Sequence, residues 1–109
     1  ALILSAQHPD EISAVLAFSP GEYFKLDGKQ VADYAKDITQ PAFITSADWE
    51  VKAWKGIADQ IKSEGSVFFV PKGKGWHGSA SLDRDAPSPE EYWTAVNAFL
   101  ASLNTANSK

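Results

Sequence analysis

The sequence predicts an α/β domain in which three parallel strands alternate with four helices. Three apolar runs, Ala14–Phe18, Ala42–Ser46 and Val67–Val70, are short and continuous rather than alternating. Such runs suit strands covered on both faces. The segments between them carry apolar residues at helical spacing, and Pro- and Gly-bearing breaks separate the two patterns. Strands alternating with helices argue for a parallel sheet with helices on both faces. Right-handed crossovers then gather the three strand C-termini on one rim, where open α/β sheets place their ligand sites.

Ala1–Gln7 reads as the end of a helix, stopped by His8-Pro9-Asp10 because the residue before proline is pushed out of the α region. The first strand, Ala14–Phe18, ends at Ser19-Pro20-Gly21. Val31, Tyr34, Ala35 and Ile38 then recur at helical spacing, and Gln40-Pro41 introduces the second strand. Val51, Trp54, Ile57, Ala58 and Ile61 form the stripe of a third helix, with Gly65 as its expected C-cap. After the third strand, Ser88-Pro89-Glu90-Glu91 is a helix start: a serine cap, proline at the first helical position and glutamate three residues after the cap. This last helix is expected to bury Tyr92, Val96, Phe99, Leu100 and Leu103, and to fray over Asn104–Lys109.

With 109 residues, 44% of them hydrophobic and 22% charged, the chain has the composition and size of one small globular domain. A net charge of −4 and the absence of a basic run argue against nucleic acid or an anionic membrane as partners. No apolar stretch approaches the ~20 residues of a membrane span. There is no cysteine, so disulfides and thiolate metal sites are excluded. The two histidines lack the spacing of a metal pair, and neither a metal nor a cofactor is expected. The opening Ala1-Leu2-Ile3-Leu4 lacks the positive segment of a signal peptide. It also lacks a cap and reads as the middle of a helix, hinting that the chain is a piece of something larger.

The residues that carry chemistry fall on the predicted rim. His77, in Gly75-Trp76-His77-Gly78, follows the third strand, and an imidazole there can accept and return a proton near neutral pH. Asp48 and Glu50 share the loop after the second strand. Asp48 also reads as an N-cap for the helix that begins near Trp49. Trp49, Trp76, Tyr23 and Phe24 stand where they could line a substrate pocket or pack against the core. His8, at the exit of the first helix, reads as a polar surface residue. Asp83-Arg84-Asp85 reads as a solvated loop, because the glycine turn and distal glutamate of a calcium loop are missing.

Together, ALILSAQHPDEISAVLAFSPG, PAFITSADWE, SVFFVPKGKGWHG and the long terminal helix resemble the C-terminal half of an α/β-hydrolase. The dienelactone hydrolase-like and carboxylesterase-like branches look most similar. The resemblance covers essentially the whole chain. It implies one partial domain over residues 1–109, with the N-terminal half and its nucleophile elbow absent. It also implies a triad in the order serine, acid, histidine. His77 takes the histidine position. Asp48 is the first choice for the acid, since a short carboxylate near the strand end is commoner in that family, and Glu50 is the alternative. No serine here has the two flanking glycines of an elbow. Ser19 and Ser63 match half of it and read as turn and cap residues, and Pro20 lacks the N–H that an oxyanion hole would need. The elbow, with serine or cysteine, is therefore expected just upstream of residue 1. The implied function is hydrolysis of a small carboxylic ester or lactone, with the chain alone inactive. The implied partner is the N-terminal fragment of the same protein or a second copy, because the apolar first strand would otherwise be an exposed edge. The alternative is a non-catalytic α/β domain that binds a small molecule or a protein on the same rim.

Overall fold

The three apolar runs pair side by side and all in one direction. In the computed structural model, which describes residues 1–107 with side chains through Asn104, β1 (Val15–Phe18) pairs with β2 (Ala42–Thr45), and β2 with β3 (Val67–Phe69), both parallel. The sheet order is β1-β2-β3. Around it lie α1 (Leu2–Gln7), α2 (Val31–Ala35), α3 (Val51–Ala58) and α4 (Pro89–Asn107). Short 3-10 turns, Asp48–Glu50 and Gly78–Leu82, follow β2 and β3.

Register explains the two cores. Ala17, Ile44 and Phe68 share one row and therefore one face, while Leu16, Phe43 and Val67 share the other. The first face packs Val15, Ala17, Ala42 and Ile44 under α1, α2 and α3, through Leu2, Tyr34, Trp54 and Ile57. The second packs Phe43 against Val96 and Phe99 of α4, with Phe43 and Phe99 ring centroids 5.5 Å apart. Helices thus cover both faces, as the unbroken apolar runs predict. Only central β2 is buried at every residue.

The edges depart from that prediction. β3 leaves Val67 and Phe68 about 40% exposed, at an edge beyond which no strand lies among the described residues. β1 is the opposite edge, yet Val15 and Ala17 are buried. α3 stops at Ala58, not near Gly65. Gln60 N–H and Ile61 N–H bond three residues back, to Ile57 and Ala58 carbonyls, which tightens the chain into a 3-10 turn. Ile61 stays in the core on that turn, so the apolar stripe outlasts the helix. Gly65, at φ +80, serves the turn into β3 instead. In α4, Tyr92, Val96 and Phe99 are buried and Leu103 is half-buried, but Leu100 is 43% exposed. The helix is assigned through Asn107; of the tail expected to fray, Ser108 and Lys109 lie outside the described residues. Among the described residues, no helix is long and apolar enough to cross a membrane.

One local device was not visible beforehand. The five-residue α2 has its first N–H groups, those of Val31 and Ala32, bonded to the Glu22 carboxylate at 2.6 and 2.9 Å. Cap and helix start lie nine positions apart, so no local spacing announces it.

Candidate active site

Parallel pairing puts Ser19, Ser46 and the segment after Phe69 at the same end of the sheet. The ladder runs one step past β1, with Ser19 N–H on the Thr45 carbonyl at 2.7 Å. From there β2 leads through Ser46 and Ala47 into a single 3-10 turn. Three residues per turn place position 50 over position 47. Ala47 is fully buried, so Glu50 is carried inward, while Asp48 and Trp49 face out.

Glu50 folds back onto its own turn, its Oε1 accepting the Ala47 N–H at 3.1 Å. The same oxygen accepts the Ser19 hydroxyl at 2.7 Å, and Oε2 meets His77 Nδ1 in a short hydrogen bond. Three donors therefore converge on one buried carboxylate. Burial pushes its pKa up, but the hydrogen bonds from His77, Ser19 and the Ala47 N–H together outweigh that. The net effect holds the Glu50 carboxyl below its ordinary value. The His77 ring is largely exposed, while the Glu50 side chain it meets is buried.

Position 77 is set by packing on α4. Gly75 lies directly against the Tyr92 ring, with no room for a side chain. Tyr92 is fully buried and donates its hydroxyl to the Ser46 carbonyl at 2.8 Å, which ties α4 to the end of β2. Burial raises the Tyr92 phenol pKa, consistent with a neutral donor. Gly73 N–H bonds Glu91 in the first turn of α4 at 3.3 Å, and the buried Ser81 hydroxyl bonds the Trp76 carbonyl. Gly78 adopts φ +67, a left-handed conformation that favours glycine, and its N–H donates to Ser19 Oγ at 2.7 Å.

The structure thus brings His77 and Glu50 together and leaves Asp48 apart. Asp48 is exposed and, among the described residues, makes no side-chain hydrogen bond, either to His77 or as a helix cap. The carboxylate set against His77 is thus Glu50, the alternative of the sequence reading, and not Asp48. The turn period supplies the reason, since Glu50 and not Asp48 stacks above the buried Ala47. Ser19 is more than a turn residue. It is 3% exposed, has φ +55, and uses its hydroxyl twice. Ser63 pairs with Ser66 at 2.9 Å, away from this cluster.

Trp49 and Trp76 are exposed, at 68% and 42%. Tyr23 and Phe24 instead border a cavity of about 300 Å3 beside β1, with Leu2, Ile3, Phe18 and Val31 on its walls. His8 sits 3.9 Å from Glu11 on the surface. Asp83 accepts the Asp85 N–H at 2.9 Å in a local turn. Among the described residues, no group of three His, Cys, Asp or Glu side chains is arranged to hold a metal. Comparison with known proteins finds no matching family model, no matching characterised protein and no matching solved structure.

Proposed function

We propose that residues 1–109 supply the acid and histidine of a serine-hydrolase triad, in a sheet of the α/β-hydrolase type that acts on carboxylic esters or lactones. The observation that carries this reading is the Glu50–His77 hydrogen bond at the C-terminal rim of a parallel sheet. A buried, ionised carboxylate on Nδ1 fixes the neutral ring with its proton there and leaves Nε2 as the base. His77 would take the proton of a nucleophilic hydroxyl as that oxygen attacks the ester carbonyl. Glu50 would stabilise the imidazolium formed, and the proton would pass to the departing alkoxide. Water activated by the same imidazole would then release the acid.

Ser19 does not fit as the nucleophile, because its hydroxyl is buried and committed to Glu50 and to Gly78 N–H, with Pro20 after it. The reading therefore takes the nucleophile and oxyanion donors from an N-terminal segment of the same protein, outside residues 1–109. Such a neighbour would also cover the free edge of β1.

The test is ester hydrolysis by a protein carrying this chain together with its upstream coding sequence. His77→Gln and Glu50→Gln should each lower kcat/KM by about 10³–10⁴. Asp48→Asn should stay within about threefold. Equal loss in Asp48→Asn, or ester turnover by the 109-residue chain alone, would overturn the assignment. A second reading, a non-catalytic binding domain, is favoured by the apolar cavity beside β1. It predicts that His77→Gln leaves the protein's activity unchanged.

A further inference from the structure

We infer that Ser19 is a positioning residue for the Glu50–His77 pair, locking it from a third strand. The inference rests on the triad reading above and adds a member to it. The Ser19 side chain bonds both partners' segments: its hydroxyl donates to Glu50 Oε1 at 2.7 Å and accepts Gly78 N–H at 2.7 Å. Glu50 follows β2, Gly78 follows β3 and Ser19 follows β1, so one oxygen ties together three strand ends.

Each bond has a distinct consequence. With Oε1 held by Ser19 and by Ala47 N–H, the carboxylate cannot rotate freely, and Oε2 is the oxygen left for His77 Nδ1. The bond to Gly78 N–H anchors the backbone immediately after His77, which sets where the imidazole begins. A hydroxyl suits this place because it can donate to a carboxylate while accepting from an amide.

The backbone at Ser19 supports a functional reading. A φ of +55 is unfavourable for a residue with a Cβ, and Ser19 and Asp27 are the two non-glycine residues among those described that adopt positive φ. Asp27 lies in an exposed turn beside Gly28, whereas Ser19 is buried at the site. Glycine would relieve the strain at position 19 but would lose the hydroxyl. Strain of this kind persists where the surroundings over-determine it.

The test reads the His77 ring of the 109-residue chain by proton–nitrogen NMR, in the unaltered chain and in Ser19→Ala, Ser19→Gly and Glu50→Gln. The unaltered chain should show the Nδ1–H tautomer, with a downfield Nδ1 proton that is lost in Glu50→Gln. Ser19→Ala and Ser19→Gly should lower the ratio of Nδ1–H to Nε2–H tautomer by about threefold or more and broaden that proton. If Ser19→Ala does not fold, Ser19→Gly decides, since glycine adopts the left-handed backbone without strain. Should both Ser19 variants keep the unaltered signal while Glu50→Gln loses it, Ser19 is not a positioning residue and the acid–histidine pair stands. A signal unchanged in Glu50→Gln would overturn the pairing itself, and the role of Ser19 with it.

Discussion

Gly75→Ala tests whether the His77 loop is held by close packing on α4. A Cβ built at Gly75 would overlap the Tyr92 hydroxyl, and would stand 2.8 Å from Cζ and 3.1 Å from Cε2 of that ring. Ordinary carbon contacts begin near ~3.5 Å. Something must therefore move, and neither partner is free to do so cheaply. Tyr92 is fully buried, bonds the Ser46 carbonyl at 2.8 Å and meets Phe69 edge-on at 5.6 Å. The loop is held in turn by Gly73 N–H on Glu91 and by Gly78 N–H on Ser19. Overpacking costs about 1–3 kcal/mol, and a lost buried hydrogen bond adds about 1 kcal/mol. The expected destabilisation is then about 2–4 kcal/mol, or roughly 10–20 °C in Tm for a domain of this size. Urea and thermal unfolding of Gly75→Ala, Tyr92→Phe and the double variant measure it. Removing the hydroxyl relieves part of the overlap, so the double variant should be more stable than the sum of the singles by about 1 kcal/mol. A Gly75→Ala chain that melts with the unaltered one, or single effects that add within about 0.5 kcal/mol, would refute the packing argument.

The depressed carboxyl of Glu50 predicts a pH dependence. A folded pKa below the ordinary 4.5 means that the stabilisation is fully present above that value and is lost as pH falls through the folded pKa. The urea midpoint of the unaltered chain should therefore approach that of Glu50→Gln between about pH 6 and about pH 3, and a constant gap would count against the buried ionised pair. Glu22→Ala should destabilise by about 0.5–1.5 kcal/mol in urea unfolding, because two N–H groups of α2 lose their acceptor. Glu22→Gln, with one acceptor oxygen, should lie between, and an effect under about 0.3 kcal/mol for Glu22→Ala would mean that water serves α2 equally well.

What was legible beforehand followed from local rules. Each apolar run became a strand, and the stripe Val51–Trp54–Ile57–Ala58 became α3 with Trp54, Ile57 and Ala58 buried. Ser88-Pro89 marked the start of α4 at the right residue. Boundaries failed where tertiary contacts override propensity, as when Ile61 keeps its place in the core on a 3-10 turn beyond the end of α3. Leu100 fits the helical stripe of α4 and yet is exposed.

By itself the sequence determined the α/β alternation, the parallel sheet and the placing of His77, Asp48 and Glu50 beyond strand ends, because periodicity and turn chemistry act over a few residues. Tertiary structure decided which carboxylate meets the imidazole. That choice depends on a 3-10 turn stacking Glu50 above the buried Ala47, and on three strand ends converging at one rim. It also decided the place of Ser19, whose hydroxyl reaches Glu50 across 31 positions and Gly78 across 59. Contacts between residues so far apart leave no periodic trace in the chain, since they form only when the sheet brings its strand ends together.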